Sequence, residues 1–107
     1  MREIRYIVVH CTASPQTETI AGLLQEFKRK GWTNPGYHYV VAADGKITQL
    51  LDEAKVSNGV RGYNSMLINV AYIGGIDKYG KAADSRTAAQ KKSLIQLLGM
   101  LKKKYPQ

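Results

Sequence analysis

Residues 5–14 read RYIVVHCTAS, and the way this stretch ends decides how the rest of the chain is read. Tyr6 to Val9 is a short β-branched and aromatic run, the composition of a buried strand. It delivers His10, Cys11 and Thr12 and then breaks at Ser14-Pro15. In α/β proteins, sites are built at the carboxyl ends of strands. His10 is therefore either a metal ligand presented at a strand end or a histidine that ties down loop backbone. Cys11, its sequence neighbour, points to the opposite face of a strand and cannot serve His10 as a nucleophile. It reads as a small core residue.

Downstream, ETIAGLLQEFKRKG (18–31) places Ile20, Leu23, Leu24 and Phe27 at the spacing of an amphipathic helix, with Thr17 a candidate N-cap. Lys28, Arg29 and Lys30 fall in its last turn, where cations suit the helix dipole, and Gly31 follows as a C′ residue. Asn34-Pro35-Gly36 is a turn, Tyr37 to Ala42 a second β run, and Asp44-Gly45 a hairpin signal returning through Lys46 to Leu50. The stretch from Asp52 to Ser65 lacks periodicity and reads as a loop with a short strand near Val56. Ile68 to Ile73 is a further buried strand closed by Gly74-Gly75, and Asp77 to Arg86 a polar loop. Leu94, Leu97, Leu98 and Leu101 mark a last helix with Ser85 or Thr87 as N-cap and Pro106 as its stop. Strands alternating with helices imply an α/β fold, a central mixed β-sheet flanked by helices.

Bulk properties narrow the function. The 107 residues suit a single domain, 1–107. One cysteine excludes an intrachain disulfide and a Cys-pair zinc site. No apolar run is long enough to cross a bilayer, so no membrane partner is expected. No secretion signal is visible, which leaves cytoplasmic synthesis or a leader outside this sequence. The net charge of +8 favours an acidic partner: nucleic acid, anionic lipid, or a carboxylate- and phosphate-rich wall. Lys91-Lys92 and Lys102-Lys103-Lys104 read as the solvated face of the last helix. A phosphate loop, a nucleophile elbow and H-E-x-x-H are all absent. The chemistry rests on His10, Tyr37 and His38. Tyr37 and His38 alternate along their strand, so at most one shares a face with His10. A core or edge position suits His38.

IVVHCTAS, GWTNPGYHYVVAADGKI, VSNGVRGYNS and INVAYIGGID, in this order and spacing, resemble the zinc-dependent N-acetylmuramoyl-L-alanine amidases of the phage-lysozyme type. The resemblance runs from about Tyr6 to the end of the last helix. It implies the fold these enzymes share with peptidoglycan recognition proteins. It also implies hydrolysis of the amide between the lactyl group of N-acetylmuramic acid and L-alanine in bacterial peptidoglycan, with Zn2+ as cofactor. His10 is then the first metal ligand, Tyr37 the catalytic residue beside the metal, and Trp32 and Asn64 substrate-binding residues on the loops bordering the groove. The partner is peptidoglycan rather than nucleic acid, and the place of action is the cell wall, as for an endolysin.

Departures from the pattern shape the alternatives. A catalytic zinc holds three protein ligands plus water, and the family's second and third ligands, a His and a Cys or Asp, fall beyond the last helix. On this reading the domain lacks the C-terminal strand and loop and the zinc site is incomplete. Gly59 stands where many relatives have His, and Met66 where they have a polar residue. The chain is then a truncated amidase, a catalytically inactive peptidoglycan-binding module, or one of two chains sharing a site. The sheet edge left exposed invites a homodimer.

Overall fold

The computed structural model describes residues 4–32, 34–57 and 64–106. The elements in chain order are strand β1 (Tyr6–Cys11), helix α1 (Ile20–Arg29), strands β2 (Tyr39–Val41) and β3 (Ile47–Gln49), a 3-10 turn at Asn64–Met66, strand β4 (Leu67–Tyr72) and helix α2 (Ala88–Lys104). The sheet order is β1-β4-β2-β3, with β1, β4 and β2 parallel and β3 antiparallel to β2. This is the mixed α/β sheet expected from the alternation of periods.

Strand β4 is buried at all six positions, as a central parallel strand covered on both faces should be. Alternation along the strands divides the core. Tyr39, Val41, Ile68, Val70 and Tyr72 pack with Leu94, Leu97 and Leu101 of α2. Val40 and Ile73 pack with Leu23 and Phe27 of α1. The helices therefore lie on opposite faces. Each fully buried aliphatic side chain contributes about 1.5–3 kcal/mol. Cys11 packs on the α2 side, leaving its neighbour His10 on the α1 side.

The local details follow from capping and turn chemistry. Thr19, not Thr17, caps α1, its hydroxyl accepting from the Gly22 N–H. The Pro15 carbonyl takes the Glu18 N–H and holds the preceding turn outside the helix. Lys30 is the C-cap and Gly31 follows at φ +77°. Thr87 caps α2 in a reciprocal box with Gln90, while the Ser85 hydroxyl accepts the Gly75 N–H instead. Buried Gln90 also donates to the carbonyls of Val41 and Ile73, fastening α2 to the ends of β2 and β4. Gly75, at φ +98°, lies so close to Cys11 Sγ that a Cβ would collide with it.

Three strand expectations are corrected. Strand β2 begins at Tyr39, not Tyr37, because the imidazole of His38 accepts the Asn69 backbone N–H in place of a ladder carbonyl. Strand β4 spans 67–72, one residue earlier than its apolar run, because Ile73 turns into the glycine pair. No strand forms at Val56, whose carbonyl is taken by the Asn34 side chain. Gly59 lies outside the described residues, and Met66 ends the 3-10 turn half-buried.

Strand β1 pairs through one edge with β4, and no strand covers its other edge among the described residues. Tyr6 and Val9 are exposed there. A cleft of about 390 Å3 runs beside this edge, lined by Ile4, Tyr6, Ile7, Leu98, Tyr105 and Pro106 among others.

Candidate functional site

The end of β1 and the residues leading into β2 converge on the α1 face. The rings of His10 and Tyr37 lie 5.7 Å apart at 42°, and both side chains are half-buried. The Tyr37 hydroxyl donates a long hydrogen bond of 3.4 Å to the Cys11 carbonyl. Burial pushes the Tyr37 phenol above its ordinary pKa, and the neighbouring Cys11 and Glu26 push in the same direction. The hydroxyl thus stays protonated through neutral pH and available as a donor.

A line of aromatic rings continues from Tyr37. Phe27 of α1 meets it edge-on at 5.6 Å. Trp32 stacks on Phe27 at 5.4 Å and 14°, with Lys30 Nζ 5.0 Å from its ring centre. The backbone at Gly36 passes within contact of both rings: a Cβ there would sit 3.1 Å from each. That close crossing explains the glycine of the turn. Leu24, Phe27, Lys28, Trp32, Asn34 and Pro35 line a groove of about 320 Å3. Trp32 therefore borders a groove linked to His10 through Phe27 and Tyr37. Asn64 opens the 3-10 turn before β4, and its side chain lies outside the described residues. The larger cleft at the β1 edge is lined by no histidine, cysteine or carboxylate, so chemistry favours the α1 face.

His38 has a different role. It is fully buried. Its Nδ1 accepts the Asn69 backbone N–H at 3.0 Å, which requires the proton on Nε2, and Nε2–H donates to the Lys55 carbonyl at 2.8 Å. With both nitrogens occupied, His38 is a structural cross-link between β4, the approach to β2 and the loop at Lys55. Of the core or edge position expected for it, the core is the one observed.

The sequence reading missed Asn69, Ser57 and Phe27. Asn69 sits in the middle of LINVAY, fully buried, with its side-chain oxygen 2.8 Å from His10 Nε2 and its amide nitrogen donating to Ser57 Oγ at 2.6 Å. A single polar residue inside a buried strand was the available signal, because such a group must find partners.

For a zinc ion, His10 is chemically suited as one ligand. The 107 residues contain one other histidine and one cysteine. His38 is occupied, and Cys11 faces the other side of the sheet. Among the described residues no group of three His, Cys, Asp or Glu side chains is placed to hold a metal. The donors present therefore fit one position of a zinc site and do not complete it.

Similarity to known proteins agrees with this fold. The N-acetylmuramoyl-L-alanine amidase family matches residues 1–107. The endolysin of Klebsiella phage KP32 is 36% identical over 106 residues, covering 97% of this chain and 70% of that protein. The solved structure of the Ph2119 endolysin from a Thermus scotoductus bacteriophage superposes with a TM-score of 0.82 at 31% identity, over 97% of this chain and 67% of that one. Drosophila peptidoglycan recognition protein SA shares the fold, with a TM-score of 0.75 at 18% identity, over 98% of this chain and 62% of that one. From its strand order, its pattern of residues and this extent of similarity, the chain belongs to the N-acetylmuramoyl-L-alanine amidase family.

Proposed function

We propose that the α1 face binds bacterial peptidoglycan and that the activity is hydrolysis of the amide joining N-acetylmuramic acid to L-alanine. The observation that carries this reading is the pairing of His10 and Tyr37 at the end of β1, in a chain whose family acts on that bond. Tyr37 is the catalytic donor. A protonated phenol beside the scissile carbonyl stabilises the oxyanion as the amide is attacked, worth about 3 kcal/mol if it acts like other such donors. Trp32, stacked and half-exposed over the groove, offers an apolar face to a sugar ring or a peptide stem, and Asn64, on the turn before β4, is the second substrate contact of this reading. Zinc is the cofactor the resemblance implies, and His10 is the single ligand the described residues contribute. The +8 net charge draws the chain to the anionic wall, its proposed place of action. Among the described residues no helix is long and apolar enough to cross a membrane.

The donor set of the described residues supports a second reading, a peptidoglycan-binding module that does not hydrolyse. One imidazole without two companions does not hold zinc firmly. Three measurements on the purified chain separate the two: zinc content, dye release from labelled cell walls, and cosedimentation with walls. Zinc with release supports the amidase. Cosedimentation without zinc or release supports the binding module. Absence of both release and cosedimentation overturns the proposal. The edge of β1 that no described strand covers is the surface through which a homodimer would form, and sedimentation equilibrium across a concentration series tests it.

A further inference from the structure

Asn69 carries no role in the reading above, yet it is a tightly held polar residue on the site face. It occupies the middle of β4, fully buried, and every polar group it has is engaged. Its backbone N–H goes to His38 Nδ1 at 3.0 Å, and its backbone carbonyl accepts from the His38 N–H at 2.8 Å. Its amide nitrogen donates to Ser57 Oγ at 2.6 Å, and Ser57 is itself fully buried. What remains is the amide oxygen, 2.8 Å from His10 Nε2. An acceptor fixed in this way admits only a donor opposite it, so the imidazole must place its proton on Nε2.

We propose that Asn69, oriented by Ser57, is a positioning residue that locks His10 in the Nε2–H tautomer. The ring then presents the Nδ1 lone pair, a Lewis base, to the half-exposed side it shares with Tyr37. A neutral histidine at a strand end could equally present an N–H donor. Which one it presents decides whether the group can hold a cation or take a proton, or can only donate to a carbonyl. Outer partners of this kind set the tautomer and orientation of working histidines in general. Here the partner is a neutral amide, so it directs the proton without adding charge to the site. The role in function rests on His10 being the working group of the groove. The tautomer does not depend on that reading.

The test is a long-range proton–nitrogen correlation spectrum of the imidazoles in the uniformly 15N-labelled chain, chelator-treated and at a pH where the rings are neutral. His38 is the internal standard, because its Nε2–H state follows from the backbone N–H it accepts. The expected result is a single Nε2–H tautomer for His10. Asn69→Leu removes the acceptor and should convert His10 to a mixture of tautomers. Ser57→Ala should do so in part, and Asn69→Asp, which keeps an acceptor oxygen, should restore the single form. An Nδ1–H signal for His10 in the unmodified chain overturns the proposal even if Asn69→Leu does not fold. So does a His10 spectrum that the loss of the Asn69 oxygen leaves unchanged. These readouts are independent of wall hydrolysis, so failure of the amidase reading leaves them interpretable.

Discussion

The two histidines flank β4, His10 on β1 and His38 just before β2, and both touch Asn69, but they meet different parts of it. His38 is sealed in the interior and its ring nitrogens hydrogen-bond to backbone, with the Asn69 N–H on one side and the Lys55 carbonyl on the other. His10 is half-exposed, held through one nitrogen by the Asn69 side chain, and stands beside Tyr37. A histidine with both nitrogens taken by backbone holds the fold. One with a single nitrogen held by a side chain, on a half-buried ring beside Tyr37, has capacity left for chemistry. If His10 is the working group proposed above, the difference separates structure from function within one pair of residues.

The largest expected effect breaks that contrast at its structural end. His38→Ala leaves the buried Asn69 N–H and Lys55 carbonyl without partners and opens a cavity. It should lower unfolding free energy by about 3–5 kcal/mol in urea titration. In the same assay His10→Ala should cost less than about 1 kcal/mol, since water can reach the half-open site, while abolishing the function of the groove. Similar losses for both would end the distinction. Tyr37→Phe sharpens the functional end: the rate of amide hydrolysis should fall about 100-fold, near 3 kcal/mol in the barrier, with the urea midpoint almost unchanged.

A third, smaller effect belongs to a polar cluster remote from the groove. Glu53 accepts from the hydroxyls of Tyr39 and Tyr105 and pairs with Lys104 at 2.9 Å. Burial alone would raise its carboxyl pKa, but the hydrogen bonds from Tyr39, Lys104 and Tyr105 outweigh it and hold the group below its usual value. The folded state therefore binds this proton less readily than the unfolded chain. The stabilisation is complete above the ordinary glutamate range near 4.3 and is lost as pH falls through the depressed folded value. Glu53→Gln should lower stability at pH 7 by roughly 1.5–3 kcal/mol and flatten the acid limb of the stability curve. The smallest effect is Thr87→Ala, which removes the cap of α2 and should cost about 1 kcal/mol by thermal unfolding.

Much of this was legible from local pattern. A β-branched run ending in His10, an i, i+3, i+4 stripe at Leu23 and Phe27, and Asp44-Gly45 each act over a few residues, so the chain displays them directly. A core or edge position for His38 was expected from alternation along a strand, but Tyr37 and His38 both precede β2, so the buried position has another cause: its two backbone hydrogen bonds. The missed features act across long separations. Asn69 meets partners 59, 31 and 12 residues away, and only the folded sheet brings them together. The late start of β2 has the same origin: a side chain took the place of a ladder carbonyl, which strand propensity does not register. The cap of α1 moved to Thr19 because both threonines are capable and the Pro15 turn chose between them.

The central claim is that the face carrying His10, Tyr37, Phe27 and Trp32 is the one that meets the wall. Titrating the 15N-labelled chain with a soluble muramyl peptide and following amide shifts tests it whether or not the bond is cleaved. Shifts should concentrate at the end of β1, at Tyr37, and along Phe27 and Trp32. Shifts confined to α2 and the outer edge of β1, or none at saturating peptide, would contradict it.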